Sequence, residues 1–389
     1  MKIEYRSFKA SPQSPATELL AAYSALAGGE SRPHLLGYTP VARMNPYQSL
    51  LYRSFPESGI AVAPILKPDQ FRGLLDFQKM AETTSLHLHW NSWMTFGEPD
   101  ESRARLLGIG MAGRLEQLRN KGVNVVWTVH NVYPHDAVHI DLELEIQQLV
   151  ADAANVVHVM SKSTIGAMEG YVNLDPNKVV VAPHPSYKGA YVDVVTREEA
   201  RAMLGLGPDE VVFLLFGALK TYKGLDRLLN AVDALSRQSP DLRFRVLVAG
   251  GADGTREVAE FVNRALVHPH VLVESNKIPS DKAQYFLRAA DIGLVNYERT
   301  LNSGAALLFG TFDLPVVAAD TPTFREGLDE RSTAFVEDSS PEAFARAMAT
   351  AAHLVGDYSV KESLAAHMAR FNPDDVSRDF AARLLTRLE

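Results

Sequence analysis

The chain has 389 residues, 46% of them hydrophobic, which is enough for two buried cores and makes two domains the default expectation. A net charge of −8 lacks the basic footprint of a general nucleic-acid binder, and the absence of cysteine excludes disulfides and Cys-ligated metals. No apolar run reaches transmembrane length and residues 1–12 lack a signal-peptide core, so the chain reads as cytoplasmic, with peripheral membrane contact still allowed.

Residues 1–30 are an irregular preface, with strand character over 1–8 and a helical pattern over 16–26 ended by Gly28-Gly29. From His34 short β-rich runs alternate with helical segments. Strands are expected at 34–38, 60–66, 86–90, 123–129, 156–160 and 179–182, and helices at 47–55, 103–121, 139–151 and 162–171. Pro183-His184-Pro185 and a polar stretch to Gly207-Pro208 then read as a hinge. The alternation restarts, with strands at 211–216, 245–249, 271–274, 292–295, 316–319 and 334–336. Helices are expected between them at 225–237, 255–266, 281–290, 304–312 and 341–354. Such alternation implies parallel sheets covered by helices: an α/β chain of two Rossmann-like domains facing across a cleft, 1–190 and 191–358. Helices over 359–389 should cross back to the first domain. The first 190 residues are near neutral, at 17 Lys+Arg against 18 Asp+Glu. Of the totals of 39 and 47, that leaves 22 against 29 for the rest, so the first half suits an anionic membrane better.

Ligands of open α/β sheets bind at the carboxyl ends of strands. In the second half, the run Phe216-Gly217-Ala218-Leu219-Lys220-Thr221-Tyr222-Lys223-Gly224 joins a strand to a helix. It offers backbone N–H groups beside two lysines, as a phosphate requires; the plainer reading is a surface loop. Gly250-Gly251 follows the next strand, as a close backbone approach or a tight turn. The segment Ser275-Asn276-Lys277-Ile278-Pro279 could face a nucleobase or simply connect. A fourth loop carries Tyr297, Glu298 and Asn302 to Ser303, a candidate helix N-cap. There Gly304, Ala305 and Ala306 leave the helix start open to an anion.

In the first half, strand 123–129 ends in His130-Asn131-Val132-Tyr133-Pro134-His135-Asp136, a grouping suited to acid–base work or sugar hydroxyls. His87 and His89 share one strand face; without a third ligand at metal spacing they line a cleft or sit in the core. Asn45 and Tyr47, with His89, Trp90, Asn91 and Trp93, follow two other strands. Their aromatic faces and polar edges suit an acceptor sugar, or they are partly buried core.

Together these residues resemble a GT-B glycosyltransferase of the family-4 type, related to bacterial exopolysaccharide glycosyltransferases, over residues 34–389. Lys223-Gly224 matches that family's lysine-glycine pair at the donor diphosphate. Gly250-Gly251 matches its glycine turn, Leu314-Pro315-Val316-Val317-Ala318 the segment after its donor-binding helix, and Thr128-Val129-His130-Asn131 the motif whose histidine contacts the donor sugar. The chain departs from the pattern at Ala218, where the family carries arginine; the resemblance leaves Lys220 as the candidate for that charge. It also departs at Thr300 and Leu308, where the family has paired glutamates; Asn302-Ser303-Gly304 looks like the helix start of related mannosyl- and glucuronosyltransferases. The resemblance implies hexose transfer from a UDP- or GDP-linked donor to a glycan or glycolipid acceptor at the inner membrane's cytoplasmic face. No cofactor is implied, and without an Asp-x-Asp motif no metal. An inverting reaction needs a carboxylate base, for which Asp136 is the candidate; in a retaining one His130 orients the sugar and the leaving phosphate takes the proton. A nucleotide-sugar epimerase and an inactive nucleotide-sugar-binding protein are the alternatives.

Overall fold

A computed structural model describes residues 14–29, 31–42, 45–134, 137–295, 297 and 300–388. The strand character read over 1–8 therefore lies outside the described residues. The chain divides into two compact units, Met1–Pro183 with Asp374–Glu389, and His184–Pro373.

The first unit holds strands β1 (His34–Thr39), β2 (Ile60–Pro64), β3 (Thr84–Leu88), β4 (Asn124–Thr128), β5 (Val156–Val159) and β6 (Val179–Val181). They form one parallel sheet in the order β2-β1-β3-β4-β5-β6. β3, β4 and β5 are almost wholly buried, as strands with both faces covered must be. Helices Glu101–Asn120 and Ile140–Ala153 pack on one another, the first capped by the Asp100 carboxylate accepting from the Arg103 N–H. Because the chain runs from β1 to β2 and then back to β3, the order reverses between β1 and β3.

The second unit repeats the plan with β7 (Val211–Phe216), β8 (Phe244–Ala249), β9 (Val271–Glu274), β10 (Ile292–Val295), β11 (Val316–Ala319) and β12 (Thr333–Val336), in the parallel order β12-β11-β10-β7-β8-β9. Here the order reverses between β7 and β10. Helix Leu225–Gln238 buries Leu225, Leu228, Leu229, Val232 and Leu235, the residues its period places on one face. No described helix is long and apolar enough to cross a membrane.

Two expectations need correcting. The hinge is shorter than its polar sequence suggests: Arg197–Leu204 is a helix, opened by a reciprocal Thr196–Glu199 capping box. Its Arg201 is buried against Asp291 at 2.5 Å, so this segment is part of the second unit. The returning C-terminal segment is also shorter. Helix Tyr358–Ala369 stays with the second unit, and helix Pro373–Leu388 packs on the first. There Ser377 Oγ accepts from the Ser54 N–H and donates to the Leu51 carbonyl.

Candidate functional site

In the second unit the loops after β7 and β10 flank the point where the strand order reverses, the usual crevice for ligands in open α/β sheets. The loop after β7 is tied to the next one along, with the Gly217 N–H donating to the Ala249 carbonyl and the Leu219 N–H to that of Gly251. Gly250 permits this. A Cβ there would lie 2.1 Å from the Gly217 carbonyl oxygen, so no side chain fits without moving the loop. Gly251 packs on the Lys277 backbone and Ile278 is half-buried beyond it.

The two lysines differ. Lys223 is buried, and its ammonium donates to the Phe216 carbonyl at 2.9 Å, beneath Gly217. Burial lowers its pKa to about 8. Lys220 is half-exposed. It helps hold Asp253 low, although the hydrogen bonds from Thr255 are the larger cause.

The loop after β10 reaches the same place. The Tyr297 ring packs edge-on against Tyr222, 5.7 Å between centroids, and its hydroxyl hydrogen-bonds Ser303 Oγ. Ser303 caps helix Gly304–Thr311, accepting from the Ala306 N–H at 3.1 Å. Burial holds the Tyr297 phenol well above its usual range and therefore neutral. Asn302, Gly304 and Ala305 are half-buried around this helix start, whereas Glu298 lies outside the described residues.

Sequence reasoning missed two residues here. A Cβ on Gly304 would come within 2.6 Å of the Tyr187 hydroxyl, and His184 stands next to it. Both are buried. Burial lowers His184 to about 4, against the opposing hydrogen bond from Nδ1 to the Pro185 carbonyl, so the ring is neutral. The prolines around His184 read as a hinge signal, and nothing local in the sequence points from position 184 to 304.

In the first unit the loops after β1 and β3 flank the corresponding reversal, and the loop after β4 carries His130. The His130 ring stacks on Trp90 at 4.2 Å, meets Tyr47 edge-on, and its Nε2 lies 3.1 Å from His89 Nδ1. Two acceptor expectations are corrected. His89 is fully buried, its Nε2 2.7 Å from the Tyr52 hydroxyl, and Tyr47 is 1% exposed within the core, so neither presents a surface to an acceptor. Burial, reinforced by His130 and His158, keeps His89 well below the usual histidine range. Asn45 is exposed and accepts from the Tyr47 N–H; Asn131 is half-buried. Asn91 Nδ2 and Trp93 Nε1 are buried donors with no hydrogen-bond partner. His135 and Asp136 lie outside the described residues. Among those described, no cluster of three His, Asp or Glu could hold a metal.

Two α/β units, each built on a six-stranded parallel sheet, give the chain the GT-B fold, and a lysine loop and a capped helix start lie beside the switch point of the second. Residues 210–353 match the family model for Glycosyl transferases group 1, and the resemblance to GT-B glycosyltransferases holds. Among curated relatives, the D-inositol 3-phosphate glycosyltransferase of Corynebacterium aurimucosum is 30% identical over 196 residues, covering 46% of this chain and 45% of that protein. Its Corynebacterium glutamicum counterpart is 31% identical over 222 residues, covering 52% and 50%. The chain thus spans half or less of the length of these relatives. Among solved structures, sucrose-phosphate synthase from Thermosynechococcus elongatus superimposes with a TM-score of 0.68 at 16% identity, covering 92% of this chain and 99% of that one. Anabaena HepE in complex with UDP-glucose gives 0.68 at 13%, covering 91% and 99%. At these identities the likeness is one of fold.

Proposed function

We propose that the chain is a glycosyltransferase that moves a hexose-type sugar (mannose, glucose or glucuronic acid) from a UDP- or GDP-linked donor to a glycan acceptor. The observation that carries this reading is the meeting of the Gly217–Lys223 loop with the Ser303 helix start, linked through Tyr222 and Tyr297. Breaking the bond between the anomeric carbon and the diphosphate builds negative charge on the leaving group. Lys220, Lys223 and the N–H groups at Ser303–Ala305 supply positive potential for it. No metal is assigned to this step, because the sequence lacks an Asp-x-Asp motif; full turnover in EDTA is the expected result, and a loss restored by magnesium would reject that assignment. His130 takes a hydroxyl of the transferred sugar. Asn91 and Trp93, half-buried in the loop after β3, are the remaining acceptor contacts of this reading.

The acceptor in this reading is a lipid-linked glycan of polysaccharide biosynthesis. Exposed Leu106 and Ile109 near Arg103 and Arg114 on helix Glu101–Asn120 support peripheral approach to a membrane. A second reading, a small phosphorylated acceptor, is favoured by the names of the relatives, which include D-inositol 3-phosphate glycosyltransferase. Transfer of radiolabelled sugar into an organic-extractable or a water-soluble product decides between them.

Lys223→Ala should weaken UDP- or GDP-sugar binding by about 1.5–3 kcal/mol, through loss of a charge-assisted hydrogen bond, in a protein that still folds. The donor Kd of the wild type should rise as pH climbs above about 8, where the unliganded ammonium loses its proton. Protein stability responds in the opposite sense. The buried ammonium has a folded pKa below its unfolded value of 10.5, so its penalty is relieved between about 8 and 10.5. Wild-type donor affinity in folded Lys223→Ala, by calorimetry, would remove Lys223 from the diphosphate site.

A further inference from the structure

Behind His130, a continuous chain of hydrogen bonds runs through the core of the first unit. His158 Nε2 lies 2.9 Å from the Ala182 carbonyl, and His158 Nδ1 lies 2.9 Å from Thr128 Oγ1. Thr128 Oγ1 is 2.7 Å from His87 Nε2, and His87 Nδ1 is 2.8 Å from the Tyr52 hydroxyl. That hydroxyl is 2.7 Å from His89 Nε2, and His89 Nδ1 is 3.1 Å from His130 Nε2. Tyr52, His87, His89, Thr128 and His158 are all buried, and they come from β3 and the residue after it, β4, β5 and the segment after helix Tyr47–Leu51.

The direction of every link follows from its first member. A carbonyl only accepts, so His158 Nε2 carries hydrogen and Nδ1 carries a lone pair. Thr128 has one hydroxyl hydrogen, which must go to that lone pair, so its oxygen accepts from a hydrogen on His87 Nε2. His87 Nδ1 then accepts from Tyr52, whose oxygen accepts from His89 Nε2–H. His89 Nδ1 is left to accept from His130. The scheme needs neutral imidazoles, and burial keeps His87 and His89 neutral by holding both well below the usual histidine range.

We infer that this one-way relay, anchored on the Ala182 carbonyl, locks His130 in the Nε2–H tautomer, so that its Nδ1 is an acceptor, with Thr128 and Tyr52 as the positioning residues. The relay rests on the network geometry; its value for transfer rests on the role proposed above for His130. An Nδ1 lone pair accepts a sugar hydroxyl's hydrogen; in the other tautomer Nδ1–H can only donate to that hydroxyl's oxygen, so the hydroxyl must turn its own hydrogen elsewhere. The ring plane is held separately, by Trp90 and Tyr47.

A remote substitution tests it. In Thr128→Val the anchor is cut, and a hydrogen on His87 Nε2 would point at a methyl group. Reversing the remaining links avoids that orphaned donor. His87 then donates from Nδ1 to Tyr52, Tyr52 to His89 Nε2, His89 from Nδ1 to His130 Nε2, and His130 becomes the Nδ1–H tautomer. Long-range 1H–15N correlation spectra of histidine-labelled protein read each tautomer directly. Wild type and Thr128→Ser should show His130 as Nε2–H, and Thr128→Val as Nδ1–H. Tyr52→Phe, which cuts the relay two links nearer, should flip His130 as well and serves if Thr128→Val does not fold. Nδ1–H at His130 in the wild type, or an unchanged His130 in either folded variant, overturns the relay. Sugar transfer should fall by about tenfold or more in the flipped variants and be retained in Thr128→Ser. A flipped tautomer with unchanged kcat would leave the relay standing and remove His130 from the transfer reaction.

Discussion

Asp291→Ala should cost about 3–5 kcal/mol of folding stability, because it leaves a buried guanidinium without its counter-charge. Asp291 Oδ2 accepts from Arg201 at 2.5 Å and from the Val212 N–H at 2.8 Å, and Oδ1 accepts from Arg197 at 2.8 Å. Arg201 spends its other donors on the carbonyls of Gly207, Pro208, Glu210 and Ala289. One carboxylate, paired with two arginines, therefore pins helix Arg197–Leu204 to the start of β7 and to the turn entering β10. Burial lowers the Arg201 pKa, the sign of a charge kept in a costly place by its partners. The double variant Arg201→Met with Asp291→Leu should recover most of the loss, since apolar replacement of a buried pair is often neutral. A denaturant midpoint for Asp291→Ala equal to wild type would mean that the pair is solvated in solution.

Phe380→Ala should cost about 3–5 kcal/mol through loss of burial and the cavity left behind. Its ring is fully buried, stacks on His158 at 4.2 Å, lies 6.0 Å from His87 and meets Phe55 at 5.8 Å. It therefore covers the histidine network as part of a helix that joins the first unit from the far end of the sequence. Trp90, Trp93 and Trp127, the three tryptophans of the chain, are all in that unit, so fluorescence follows its unfolding. A shift below about 1 kcal/mol would show that helix Pro373–Leu388 is only loosely attached.

Much of the fold was legible in the sequence because buried parallel strands are short apolar runs bounded by turn residues. Val211–Phe216, Val271–Glu274, Ile292–Val295 and Val316–Ala319 begin and end where that pattern does. Helix Arg197–Leu204 was hidden by its brevity and by the prolines and glycines around it, although Thr196 and Glu199 carried the capping signal. At the site, the glycines and lysines after β7 and the Ser303 cap announced themselves by local spacing. Local spacing does not say which way a long side chain turns, and Lys223 turns inward to its own loop. Nor does it reveal partners from other elements. His87 and His89 were visible as a pair, but Tyr52, Thr128 and His158 complete their hydrogen bonding from three separate parts of the chain.

The interrupted composition of the first unit has a consequence for biosynthesis. Its six strands are all translated by residue 183, yet Phe380 and Ser377 leave the ribosome only after the whole of His184–Pro373. At about 5–20 residues per second, roughly 200 intervening residues take about 10–40 s to make. For that interval the face of the nascent sheet that holds His87 and His158 has no Phe380 ring over it. The second unit, made of one unbroken stretch, can finish first. The part of the chain made earliest is thus completed last.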